Sequence, residues 1–144
     1  MSLTRMRAVG TAEEPGEGAP ISGLSHVQLL VSDVATSARW YSAVLGLASF
    51  ADDPDIGYVA LRHRKAKLVI VLTKGAASTH SLGTTANDFV DHLAFAVPDG
   101  DALDTWATHL STIGIAHNGI VLENGRPSLQ LRDPDGFAVE LVAP

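Results

Sequence analysis

No cysteine occurs in the 144 residues. Disulfides, thiolate nucleophiles and sulfur-ligated metals are therefore excluded, and any bound metal must rest on histidine and carboxylate. Basic residues are also few: 10 Lys and Arg stand against 16 Asp and Glu, giving a formal charge of −6 and a pI near 5.3. A chain of that sign has no broad electrostatic hold on nucleic acid or anionic lipid, so a small or neutral partner is expected. Long apolar runs are missing as well. Stretches such as 68–72 are far too short to span a bilayer, and the N-terminus carries no apolar signal core, so a cytoplasmic protein with no membrane contact is expected. There is no glycine-rich phosphate loop and no strained serine elbow.

What is present is enough apolar material, 46% of the chain, for one folded domain with a real core. Residues 1–20 combine glycine, proline and glutamate without apolar periodicity and are expected to form a mobile tail. From Ser25 the residues alternate, with Val27, Leu29 and Val31 on one face and His26, Gln28 and Leu30 on the other, which predicts a strand. Ser32 and Asp33 offer N-cap oxygens for a helix over 34–45 that Gly46 terminates. Strands are expected near 48–50, 57–61 and 67–72.

The pattern then recurs. His92, Ala94 and Ala96 alternate with Leu93, Phe95 and Val97, Asp99 caps a second helix over about 101–113, and Gly114 ends it. His26 and His92, Asp33 and Asp99, and Trp40 and Trp106 are all 66 residues apart, and these tryptophans are both of the chain's. Strands are expected at 115–117, 128–131 and 137–142. The last follows Asp133-Pro134-Asp135-Gly136, a turn in which proline fixes φ and glycine accepts a positive one. Along it Phe137, Val139 and Leu141 share one face, while Glu140 lies on the other with Ala138 and Val142. A carboxylate held there must be solvated, paired or metal-bound. The chain thus reads as βαβββ twice, with a first module at about 21–74, a polar linker at 75–88 and a second module at 89–144, making one α+β domain.

SHVQLLVSDVATSARWYSAVLGL, DHLAFAVPD and RDPDGFAVELV, spread over residues 21–143, resemble the vicinal oxygen chelate superfamily of glyoxalases, bleomycin resistance proteins, extradiol dioxygenases and fosfomycin-resistance transferases. That resemblance implies two βαβββ modules forming a curled eight-stranded mixed sheet around a pocket. It implies metal ligands at His26, His92 and Glu140, each already placed by alternation opposite the main apolar row of its strand, a face that small residues line beside His92 and Glu140. Two imidazoles and one carboxylate suit a divalent ion such as Fe, Mn, Zn, Ni or Co and leave coordination positions open. The family's fourth ligand would fall on Ile70 or Val71, neither of which can bind metal, so a three-ligand site is expected.

The function this implies is a metal-dependent enzyme acting on a small oxygen-chelating metabolite, with Glu140 as the catalytic carboxylate and the ion as Lewis acid. Substrate contacts are expected from Gln28, Gln130, Tyr58 and Arg126. His80 in the linker is a further candidate acid or base, an exposed linker histidine being the plainer reading. A metal-free drug- or metabolite-binding protein of the bleomycin-resistance kind is the alternative from another class. A further alternative is an Fe(II) extradiol dioxygenase, against which Gln130 counts because that branch carries Tyr ten residues before the glutamate ligand. Family members commonly pair, so a homodimer is expected, with the site built within one chain or across two.

Overall fold

The computed structural model describes residues 19–53, 55, 57–75 and 89–144. Most of the expected tail, nearly all of the linker and His80 lie outside the described residues.

Strand β1 (Val27–Val31) leads into helix α1 (Val34–Leu45), followed by β2 (Ala48–Asp53), β3 (Tyr58–Arg62) and β4 (Val69–Lys74). The second module repeats this order with β5 (His92–Ala96), α2 (Gly100–Thr112), β6 (Val121–Glu123), β7 (Arg126–Arg132) and β8 (Ala138–Val142). Both helices begin at the expected aspartates: the Asp33 carboxylate accepts from the Thr36 amide, and that of Asp99 from the Ala102 amide. At the end of α1, Gly46 takes φ 74°, and its amide bonds back to the Ser42 carbonyl.

The eight strands form two four-stranded sheets, ordered β1-β4-β3-β2 and β5-β8-β7-β6. In each, the first and last strands of the module pair in parallel, and the remaining pairs are antiparallel. Two βαβββ modules of identical topology are what the 66-residue repeat predicts. The sheets do not close on one another within the chain; β1 and β5, which begin at or just after the two candidate histidines, are outer strands of their sheets.

Alternation sorts the faces. Leu29, Val31, Ile70 and Leu72 in the first sheet, and Leu129, Leu131, Val139 and Leu141 in the second, are buried in one core with Tyr41, Leu103 and Leu110 from the helices. Burying a side chain of this size contributes about 1.5–3 kcal/mol before chain entropy is subtracted. Polar bonds join the modules on the helix side. The buried Tyr41 hydroxyl donates to Asp133 Oδ2 at 2.8 Å, the Ser32 amide donates to Asp135 Oδ2 at 3.1 Å, and His109 Nε2 meets the Val44 carbonyl at 3.3 Å.

One expected strand is absent. Residues 115–117 form no ladder, and the strand lies instead at 121–123. The reason is local. Asn124 and Gly125 take φ of 52° and 76°, making a two-residue turn that pairs Glu123 with Arg126. The chain before it is tied to β7 by Asn118, whose side-chain oxygen accepts from the Gln130 amide at 2.9 Å and whose own amide donates to the Gln130 carbonyl at 3.3 Å. Side-chain bonding thus takes the place of a regular ladder.

Candidate metal centre

Cross-strand register brings the second module's polar side chains together. Ala138 pairs with His92, Glu140 with Ala94 and Gln130 with Glu140, which puts His92, Glu140, Gln130, Arg126 and Glu123 on one face of the sheet. This is the face opposite the core. Glu140 is nonetheless only 7% exposed, with the Gln130 and His92 side chains against its carboxylate. A carboxylate at that depth needs partners. Gln130 Nε2 donates to its Oε2 at 3.3 Å, and His92 Nε2 lies 3.4 Å from the same oxygen.

The His92 ring is held at its other nitrogen, Nδ1 lying 2.8 Å from Asp91 Oδ2. An ionised carboxylate only accepts, so Nδ1 carries a proton. In the neutral ring Nε2 then presents a lone pair to the lone pairs of Glu140. Acceptor facing acceptor is unfavourable unless a cation sits between them, either a proton on Nε2 or a metal ion. In keeping with this, the hydrogen bond that Nδ1 donates to Asp91 holds the His92 pKa above its ordinary value, with partial burial opposing and the charges of Glu140, Asp91 and Glu123 assisting. Imidazole nitrogen and carboxylate oxygen both suit a divalent first-row ion. These two residues therefore fit the ion that the family pattern implies.

His26 is elsewhere. It is exposed immediately before β1, on the other sheet, with Nδ1 3.0 Å from Ser25 Oγ. Among the described residues no three His, Asp or Glu side chains gather closely enough to hold an ion. Gln28 and Tyr58 go with His26. Gln28 Nε2 donates to Thr73 Oγ1 at 3.3 Å, and Tyr58 pairs with Thr73, so both lie on the non-core face of the first sheet. Register also resolves the fourth-ligand position. Gln28 pairs with Val71 as Ala94 pairs with Glu140, which makes Val71 the counterpart of Glu140, whereas Ile70 points into the core at 0% exposure.

Glu123 was not among the sequence candidates. Its Oε2 accepts from Gln130 Nε2 at 2.7 Å, so one amide bridges two carboxylates. The signal that locates it is the Asn124-Gly125 turn, which fixes the register of the hairpin. Asp91 and Ser25 also escaped notice, although each directly precedes a candidate histidine.

An α+β fold of paired βαβββ modules, with a His/Glu pair on an open sheet face, defines a structural class rather than one activity. Residues 23–141 match the sequence model of the Glyoxalase/Bleomycin resistance protein/Dioxygenase superfamily, and the chain belongs to that family. No protein of curated function matches it in sequence. Solved structures share its fold. Lactoylglutathione lyase from Agrobacterium tumefaciens is 22% identical, with 87% of this chain and 96% of that one covered at a TM-score of 0.68. A mutant of the fosfomycin resistance protein FosX from Listeria monocytogenes, complexed with Mn(II) and 1S,2S-dihydroxypropylphosphonic acid, is 20% identical, with 86% and 93% covered at 0.66. TnmS3, an antibiotic-binding protein from Streptomyces sp. CB03234, is 20% identical, with 88% and 99% covered at 0.71. Metal-complexed and antibiotic-binding proteins thus share this architecture. No helix among the described residues is long and apolar enough to cross a membrane.

Proposed function

We propose that the protein is a divalent-metal-dependent enzyme acting on a small oxygen-chelating metabolite, with an ion held by His92 and Glu140 of one chain and His26 of a second copy. The observation that carries this reading is the approach of His92 Nε2 to Glu140 Oε2, 3.4 Å apart with Nδ1 already engaged by Asp91. The need for a second copy rests on two further features. His26 lies on a separate sheet, and the chain around both histidines exposes apolar surface: Ile21 is 89% exposed, Leu24 83%, Phe89 85% and Val90 55%. Side chains of this kind, flanking the outer strands of two sheets, are covered when sheets of two copies meet.

When bound, the ion would polarise a substrate oxygen as a Lewis acid. The chain's own side chains do the rest. Gln130 fixes Glu140 by donating to Oε2, and Glu123 fixes Gln130. Arg126, exposed on the same face, offers a guanidinium to an anionic substrate group. Gln28 and Tyr58 would face the metabolite from the other copy's sheet.

The reading is tested by mixing two inactive variants. Light scattering should give about twice the 15.1 kDa chain mass. Dimers of His26→Ala and of His92→Ala should each lose divalent-metal binding, since every site would lack one imidazole. In a mixed dimer one site recovers all three ligands and the other loses two, so half of the wild-type metal content should return. A monomer with full metal content, or mixed dimers as empty as their parents, would refute the shared site. Wild-type protein that binds no divalent metal would favour the metabolite-binding alternative.

A further inference from the structure

The two candidate histidines are held by different neighbours. Each ring has its Nδ1 bonded to the side chain of the residue directly before it, Ser25 for His26 at 3.0 Å and Asp91 for His92 at 2.8 Å. The chemistry is unequal. A serine hydroxyl both donates and accepts, so Ser25 leaves either ring tautomer open to His26. The Asp91 carboxylate only accepts, so Nδ1 of His92 keeps its proton and, in the neutral ring, Nε2 is bare. Nε2 is the nitrogen directed at Glu140.

From this geometry we infer that Asp91 is a positioning residue that fixes the tautomer and ring orientation of His92 before any ion arrives, making His92 rather than His26 the stronger imidazole donor. The inference rests on the proposed metal site and extends it to a residue outside the ligand set. A carboxylate on the far nitrogen of an imidazole ligand raises its basicity and removes the cost of selecting a tautomer and a rotamer during binding. Alternation cannot place this carboxylate on the ligand face, since Asp91 adjoins His92 in sequence. It reaches Nδ1 from the loop just before β5, where the backbone is not yet in the ladder. Its side chain is 96% exposed, so the contact adds little to folding and the residue is free to be replaced.

Titration of the dimeric protein with Co(II) alone, followed by the visible absorption of the bound ion, measures the effect. Asp91→Ala should weaken Co(II) binding by roughly ten- to a hundredfold, the usual effect of removing such an outer partner. Asp91→Asn, which keeps an acceptor oxygen at the same position, should recover most of that loss, and Ser25→Ala should cost less than Asp91→Ala. Long-range proton–nitrogen spectra of the metal-free protein supply a readout that folding alone does not move. His92 should be protonated at Nδ1 in wild type and should shift towards the Nε2-protonated form in Asp91→Ala. His92→Ala serves as the control. If it abolishes Co(II) binding while Asp91→Ala leaves both affinity and tautomer unchanged, the positioning role is overturned and the metal site stands. If His92→Ala itself leaves binding unchanged, the proposed site falls, and this inference falls with it.

Discussion

Glu140→Gln is expected to abolish the stabilisation that added divalent metal gives the wild-type protein. The substitution preserves volume and shape, and the glutamine oxygen can still accept from Gln130 Nε2 as Glu140 Oε2 does. It removes the only carboxylate in the proposed ligand set, and with it the charge that a divalent ion requires at a site otherwise made of neutral imidazoles. A ligand bound only by the native state raises stability by mass action, about 2.7 kcal/mol when its free concentration is a hundred times the dissociation constant. In a domain of this size that corresponds to a rise of roughly 6–10 °C in the melting temperature. Wild type should show that rise with Mn(II) or Co(II), and Glu140→Gln should show less than about a tenth of it. Without metal, the variant loses the charge that faces His92 Nε2 but also relieves a carboxylate that is only 7% exposed, so it should melt close to wild type. Equal shifts in the two proteins would show that Glu140 is no ligand, and the proposed mechanism would be abandoned.

How far the sequence anticipated this site depends on what a repeat can express. The spacing of 66 residues between His26 and His92, and between Asp33 and Asp99, states that two modules are equivalent, and the paired sheets reproduce that equivalence strand for strand. Alternation then assigns faces along one strand, which set Glu140 opposite Phe137, Val139 and Leu141, whereas the common face of Glu140, Gln130 and Arg126 follows from the cross-strand register. Neither signal carries distance between modules. Equivalence of His26 and His92 says nothing about whether they meet, and the structure puts them on separate sheets. The strand at 121–123 was missed for a related reason. The Ile115 to His117 alternation looks like a strand, but the Asn124-Gly125 turn sets the register, and the weaker pattern gives way to the side-chain bond from Asn118. Glu123 was lost with that strand. Asp91 and Ser25 were missed because their contacts are between sequence neighbours, where periodicity has no power.

The other large effect concerns the joint between modules, on which any cross-chain site depends. Asp133 opens the turn before β8 and is 5% exposed. Its Oδ1 accepts from the Asp135 and Phe137 amides, both at 2.9 Å, and its Oδ2 from the Tyr41 hydroxyl at 2.8 Å. One carboxylate therefore closes the turn that launches the Glu140 strand and fastens it to α1 of the other module. Asp133→Ala leaves two amides and a buried phenol without partners, each unmet bond costing about 1–3 kcal/mol. The losses are not additive, and removing a buried charge offsets part of them, since burial pushes the Asp133 pKa above its ordinary value despite the hydrogen bonds that oppose the shift. A net destabilisation of about 3 kcal/mol, or roughly 10 °C in melting temperature, is expected. The same raised pKa gives the sign of the pH dependence. The folded protein holds this proton more tightly than the unfolded chain, so the contribution is fully present below the unfolded value and falls as pH rises through the folded one. Asp133→Asn, neutral throughout, should flatten that limb, while Tyr41→Phe should cost about 1.5–3 kcal/mol by removing a single bond to a charged group. Denaturant melts of the three variants over pH 4 to 8 would check this. Should Asp133→Ala melt within a degree of wild type, the turn and the module joint do not depend on this carboxylate.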